Sequence, residues 1–275
     1  YVPTAEETAD RGKQRCFSID QKGQMTPYRL PILTYHSLDS SGSVISTTPL
    51  VFRRQMEWLH QRGFQTLSLA EAARLVRDGQ PFRERTCVVT FDDGYETVYR
   101  EAFPVLEELG FTATVFLITG YCGKQNSWPG HVSPVGEQSL LCWTQIEEMA
   151  RHHIEFGSHT VTHPDLACVT RHEAEREMRE SKQTIQERLG RDVEVFAYPY
   201  GKYAPWVVDL AKEHFTGACS TILGRVMSEA DSALLPRVDM YYLSSQWLME
   251  TLDTRGMDLY LGVRRAMRAT KAWFA

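Results

Sequence analysis

Short apolar runs alternate with helix-periodic segments along most of this chain, and that alternation constrains the fold more than any other feature. Strand-like runs read at 30–36, 88–91, 113–118, 154–159, 193–198, 216–222 and 234–238. Between them the spacing of apolar residues predicts helices over 50–62, 69–76, 96–109, 143–153, 171–189 and 206–214, with a basic helical segment from about Ser245. Such alternation argues for a mainly parallel sheet, because each crossover helix returns the chain to the same end of the sheet. Several runs end on polar residues, at His36, Asp92-Asp93, His159 and Tyr200. A (β/α) barrel gathers strand ends on one catalytic face, so this pattern fits an α/β barrel.

With 275 residues and 43% hydrophobic content the chain can bury one large core. Residues 1–28 are polar and aperiodic and read as an N-terminal arm, which leaves 29–275 as the barrel domain. The formal net charge of -5 gives no basis for nucleic-acid binding. No apolar run is long enough for a transmembrane helix. The first residue is Tyr1, so a leader or anchor ahead of it stays open. Cys16, Cys87, Cys122, Cys142, Cys168 and Cys219 show no CxxC spacing, and several sit in apolar segments. They read as buried free thiols, which leans towards a reducing compartment while a secreted or envelope location stays open.

The run Val88-Val89-Thr90-Phe91 ends in Asp92-Asp93-Gly94-Tyr95. Adjacent residues on a strand point to opposite sides, so two carboxylates used in one pocket need a twist, and Gly94 supplies the freedom. Asp-Asp-Gly alone is also an ordinary turn. Downstream, Ser158-His159-Thr160-Val161-Thr162-His163 places two histidines four apart, with Pro164 behind them, so a turn rather than a helix must bring them together. An isolated HxxxH is often two unrelated histidines. Beside a carboxylate at another strand end, two imidazoles complete an open divalent-metal site able to generate hydroxide at neutral pH. One carboxylate suffices for the metal, and its neighbour is left as a general base.

In Thr90-Phe91-Asp92-Asp93-Gly94, His159-Thr160-Val161-Thr162-His163 and Tyr198-Pro199-Tyr200-Gly201, taken in that order, the chain resembles the polysaccharide deacetylases among the carbohydrate esterases. The resemblance covers about residues 30–240. It implies a distorted (β/α) barrel of about seven parallel strands. It further implies Asp92 as the base, Asp93, His159 and His163 as ligands of a divalent metal, and the Tyr200 backbone N–H as an oxyanion donor. Zinc is the first choice of metal, with Co2+, Ni2+ or Fe2+ as alternatives.

Two positions depart from the family pattern. Many members carry an arginine where this chain has Ala197, and many carry a late Leu-x-His, whereas no histidine follows His214 here. One branch of the family looks circularly permuted, with an early Tyr-His strand that supplies the acid, and Thr34-Tyr35-His36-Ser37 matches it. His36 is therefore the candidate acid and Arg237 the candidate cation beside Asp92. Asp92 must stay ionised next to Asp93, and in the absence of metal one of the two carboxyls is expected to rise strongly.

Tyr95 and Trp128 are the favoured substrate contacts among the aromatics near the motifs, and the Gly/Ser/Pro-rich segment 120–140 reads as a lid. The basic C-terminal helix reads as a solvated face or a subunit contact, with anionic lipid or glycan as further options. Dense mixed charge over 171–189 reads as a solvated helix face. The resemblance implies hydrolysis of the N-acetyl group of a glycan such as an N-acetylglucosamine polymer. A small amide or cyclic imide hydrolase, and a non-catalytic carbohydrate-binding barrel, are the alternatives. Oligomeric state stays open.

Overall fold

The computed structural model describes residues 17–19, 25–129 and 135–273. The proposed arm lies largely outside them. Within it, strands β1 (Phe17–Ile19) and β2 (Met25–Pro27) pair antiparallel. The domain proper then runs β3 (Ile32–Tyr35), α1 (Pro49–Gln61), β4 (Gln65–Thr66), α2 (Leu69–Arg77) and β5 (Thr86–Phe91). It continues through α3 (Phe103–Leu109), β6 (Thr114–Leu117), α4 (Trp143–Arg151), β7 (Glu155–Ser158), α5 (Arg171–Leu189) and β8 (Val195–Ala197). Last come α6 (Pro205–His214), β9 (Gly217–Leu223), β10 (Leu235–Asp239), α7 (Gln246–Met249) and α8 (Arg255–Trp273).

Neighbouring strands pair in the order β3-β10-β9-β8-β7-β6-β5, all parallel, and β3 also pairs with β5, which closes a seven-stranded barrel. The short strand β4 pairs in parallel with the first two residues of β5, Thr86 and Cys87. A register shift between Leu235 and Arg237 distorts the ring where β10 meets β9. Closure buries every strand on two faces, so the runs are apolar on both sides rather than alternating.

Period two nevertheless decides which side each residue serves. Ile32, Val88, Phe116, Val195, Ala197, Cys219 and Leu235 pack together in one cluster that fills the barrel, with α2 closing its base. Their sequence neighbours Leu33, Val89, Phe91, Val115, Leu117, Phe196 and Val238 pack outwards against the helices in another. Carried one step past the ends of β3, β5 and β7, the inward parity falls on His36, Asp92 and His159, and within β10 it falls on Arg237. The barrel mouth is polar because the even spacing of each strand runs out of apolar residues there.

Most helices start and stop where local chemistry dictates. Thr170 caps α5 through a reciprocal pair in which its hydroxyl accepts from the Glu173 N–H and the Glu173 carboxylate accepts from the Thr170 N–H, and Gly190 ends it at φ 62. The helix expected over 96–109 is instead a π turn over Val98–Ala102 leading into α3. Pro104 has no N–H to return to Arg100, which removes the α-type bond at that point.

The segment 120–140 is not a free-standing lid. Leu141 and Glu96 donate backbone N–H groups to Gly94 and Ser139, at 2.8 and 2.9 Å, and bridges join Tyr95 to Leu140 and Gln125 to Ser139. Its described part is stitched to the end of β5 and forms a wall of the mouth. Among the described residues no helix is long and apolar enough to cross a membrane. Cys87, Cys122, Cys142, Cys168 and Cys219 are free thiols, and Cys16 lies outside the described residues.

Candidate active site

Three ligand atoms converge where β5 and β7 emerge from the barrel. His159 Nε2 and His163 Nε2 lie 3.2 Å apart, and Asp93 Oδ1 lies 3.4 and 3.5 Å from them. All three side chains are buried, and among the described residues they form the one cluster of His, Cys, Asp or Glu able to hold an ion. Zinc bonds of 2.0–2.1 Å in a tetrahedral arrangement separate neighbouring ligand atoms by about 3.3 Å. The triangle here has that size, so the donor set fits a divalent ion with one coordination side left open.

Backbone strain builds the triangle. Asp93, Thr160, His163 and Tyr200 all adopt left-handed backbone conformations, with φ of 69, 68, 58 and 59°, which non-glycine residues occupy at a cost of about 1–3 kcal/mol each. Strand parity points Asp92 inwards and would send Asp93 outwards. The positive φ at Asp93, followed by φ 72 at Gly94, turns the second carboxylate back into the mouth. The twist that Gly94 was expected to supply is therefore shared by Asp93 itself. At the Pro199-Tyr200-Gly201 turn, Gly201 has φ 65, and a Cβ there would meet the Thr221 hydroxyl at 2.1 Å, so only glycine fits.

Second-layer contacts orient the ligands. His159 Nδ1 donates to the Ala197 carbonyl at 2.7 Å, which leaves Nε2 as the free electron pair. Ala197, where family members often place arginine, thus acts through its backbone. Thr160 Oγ1 accepts from the His163 N–H at 2.9 Å and tightens the turn.

Glu177, on α5, was missed by sequence reasoning. Its carboxylate accepts from the Val161 and Thr162 N–H groups at 2.7 and 2.9 Å and from the Thr162 hydroxyl at 2.8 Å. Dense charge over 171–189 masked it, yet it lies beside the stripe formed by Ala174, Met178, Ser181 and Ile185 and is buried with them. The signal was a carboxylate on the apolar side of an amphipathic helix. Glu177→Ala should weaken metal binding about 10–100-fold by freeing the histidine turn, with Glu177→Gln intermediate, as read by competition against a chromogenic chelator. Wild-type affinity in Glu177→Ala would remove this clamp.

Asp92 lies beside the triad, 4% exposed. Arg237 holds it in a bidentate pair, Nη1 to Oδ1 and Nη2 to Oδ2, both 2.7 Å, while Arg237 Nε donates to the Ser220 carbonyl at 2.9 Å. His36 Nε2 stands 3.8 Å from Asp92 Oδ2. Burial pushes the Asp92 carboxyl up, but the charge and hydrogen bonds of Arg237, aided by His36, more than offset it and hold the group below the usual carboxylate range. Burial also opposes ionisation of Asp93, and without an ion a proton on His159 Nε2, together with charge on the neighbouring imidazoles, holds that carboxyl low as well. The expectation of one strongly raised carboxyl is therefore overturned. Arg237 on the Asp92 flank and the imidazoles on the Asp93 flank take the stabilising part that was expected of the metal alone.

These groups open into a cavity of about 520 Å³ lined by His36, Asp92, Asp93, His159, His163 and Arg237, with Trp128 and Tyr200 on its wall. The Trp128 and Tyr200 rings pack on His163 at centroid distances of 5.0 and 4.4 Å. Tyr95 differs from expectation. It is fully buried beneath the 120–140 wall with Ile118, Trp128, Val135 and Leu140 and does not line the cavity, because the backbone bridge to Leu140 draws it under that wall.

Fold and site together define a (β/α)-barrel protein with an open divalent-metal centre at the C-terminal ends of its strands. The polysaccharide deacetylase family model matches residues 79–216, half of the chain, and the protein belongs to that family. A Bacillus subtilis (strain 168) protein named "Putative polysaccharide deacetylase YxkH" is 36% identical over 177 residues, covering 64% of this chain and 58% of that protein. The poly-beta-1,6-N-acetyl-D-glucosamine N-deacetylase of Escherichia coli (strain K12) is 28% identical over 46% of this chain and 20% of its own length. The chain thus spans only part of these relatives. The protein of the same name from Staphylococcus epidermidis is 26% identical over 76% of this chain and 73% of its own. Among solved structures, the Streptococcus pyogenes deacetylase PplD in complex with acetate superposes with a TM-score of 0.68, at 25% identity, over 78% of this chain and 93% of that one. IcaB from Ammonifex degensii shares the fold with a TM-score of 0.70 at 24% identity, over 83% of this chain and 99% of that one.

Proposed function

We propose that this protein hydrolyses the N-acetyl groups of an N-acetylglucosamine polymer, releasing acetate and free amine. The observation that carries this reading is the placement of Asp92, clamped by Arg237 and faced by His36, beside the Asp93–His159–His163 triangle. The names of the E. coli and S. epidermidis relatives support the polymer as substrate class.

In this reading Asp93, His159 and His163 hold the ion, zinc being the first choice for two imidazoles and one carboxylate. When bound, it supplies Lewis acidity for a carbonyl oxygen and makes a water molecule in the site more acidic. Asp92, kept ionised by Arg237, takes a proton from the attacking water. The Tyr200 N–H donates to the carbonyl oxygen as it gains charge, an interaction worth about 3–4 kcal/mol per donor. Trp128 walls the pocket with an apolar ring suited to the acetyl methyl group or a sugar face. As the C–N bond breaks, protonated His36 delivers its proton to the leaving nitrogen. Asp92 and His36 face each other across 3.8 Å, so the proton gained by the first can restore the second.

His36, directly after β3, precedes every other site residue in the chain, an order that supports placement in the permuted branch of the family. The test is acetate release from poly-β-1,6-N-acetylglucosamine by metal-loaded, chelated and zinc-restored protein. Chelation should stop release and zinc should restore it. Release by protein shown by elemental analysis to be metal-free would sink the proposal.

A further inference from the structure

We propose that β10, the turn after it and α8 form a second sugar subsite, which engages a neighbouring residue of the glycan and makes the protein selective for oligomers over a single N-acetyl sugar. The inference rests on the proposed deacetylase reading and extends it to substrate length. The cavity does not end at the metal triangle. It continues past Arg237 to a wall made by Thr221, Asp239, Tyr241, Tyr242 and Arg268.

This wall has the build of a neutral-sugar site. Asp239 follows Arg237 by two on β10, so the same inward parity that aims Arg237 at Asp92 places Asp239 at the mouth. Arg268 Nη2 donates to Asp239 Oδ2 at 2.6 Å, its Nε to the Tyr242 hydroxyl at 3.1 Å, and its Nη1 to the Thr221 carbonyl at 3.4 Å. The Arg268–Asp239 pair thus presents donors and an acceptor side by side without net charge, a match for sugar hydroxyls rather than for an anion or a cation. Tyr241, 42% exposed, offers an aromatic face to the apolar side of a sugar ring. Neither an acetamide group nor the hydrolytic chemistry requires these groups.

The wall is also held in place before any ligand arrives. Arg264 and Arg268 both stack on the Tyr242 ring, at 4.6 and 4.9 Å. Arg225, itself buried, grips Asp258 near the start of α8 through bonds of 2.8 and 2.6 Å. The basic C-terminal helix is therefore not a purely solvated face, because Arg268 turns inwards to the cavity. Such preorganisation spares a ligand the cost of ordering its site.

The test compares the β-1,6-linked N-acetylglucosamine pentamer with the monomer, by steady-state acetate release and by calorimetric binding of the pentamer. For Arg268→Ala and for Tyr241→Ala, the ratio of kcat/KM for pentamer over monomer should fall about tenfold, the value of one lost charged or aromatic contact. The loss should lie in KM, and pentamer affinity should weaken in parallel. Tyr241→Ala keeps the test independent of how α8 docks, since its ring is exposed and Arg268 remains. An unchanged ratio in Tyr241→Ala, or failure of the wild type to bind pentamer, overturns the subsite. Pentamer that binds and depends on these residues without being turned over supports the subsite and overturns the hydrolase reading instead.

Discussion

Asp92→Asn should lower acetate release by about 10²–10⁴-fold, the range for loss of a positioned proton acceptor, while the variant should still take up its metal. The two halves of that result separate the carboxylates. Asp92 contributes no atom to the triangle of Asp93, His159 and His163, so removing its charge leaves the ligand set complete. Asparagine has nearly the volume of aspartate and can accept one bond from Arg237, so the mouth keeps its shape. What it cannot do is accept a proton, and its amide group confronts a guanidinium N–H where the carboxylate had an acceptor. Turnover and elemental analysis on the same preparation decide the matter. Activity within tenfold of wild type would show that another group removes the proton, and loss of metal would show that Asp92 belongs to the ligand set.

Arg237→Leu tests stability where Asp92→Asn tests chemistry. Arg237 is 3% exposed and is the bidentate partner of a carboxylate with little solvent contact, so its removal leaves that charge without its cation in a largely buried setting. Truncating one partner of a buried pair costs about 3–5 kcal/mol, and thermal or urea unfolding should register a loss of that order at neutral pH. The pH dependence carries the sign. In the wild type the Asp92 carboxyl titrates below its ordinary value, so the stability it contributes is present above the unfolded pKa and is lost as pH falls through the folded one. In the variant, burial is opposed only by the weaker influence of His36 and His159 and raises the same carboxyl, so the folded state is penalised as pH rises. The gap between the two proteins should therefore be widest at neutral pH and narrow in acid. A gap that stays constant with pH would mean that Arg237 stabilises by packing rather than through Asp92.

Much of the fold was legible because the strands are buried on both sides and stand out as apolar runs. All seven barrel strands and the helix over 171–189 fall where periodicity predicts them. The interrupted helix before Leu109 and the two-residue β4 did not, because a single proline and a strand of two paired residues leave no periodic trace. Within the site, the residue types were legible and several of the partners were not. Glu177 was hidden by the charge around it, and Tyr95 looked available because it follows the Asp-Asp-Gly signal, although the 120–140 segment covers it.

The amino-acid sequence by itself determined the strand–helix alternation, the inward parity at each strand end and the presence of two carboxylates and two histidines at such ends. These are local properties, set by side-chain polarity and by the two-residue period of an extended chain. Only the tertiary structure decided that Asp93 turns inwards at positive φ, that Arg237 pairs with Asp92 from 145 positions away, and that Arg268 closes the far wall of the cavity. Those outcomes depend on barrel closure, which sets side chains distant in sequence against one another at hydrogen-bond range and holds strained backbone in place. No local pattern encodes that closure distance by distance, because it is a property of seven strands meeting at once.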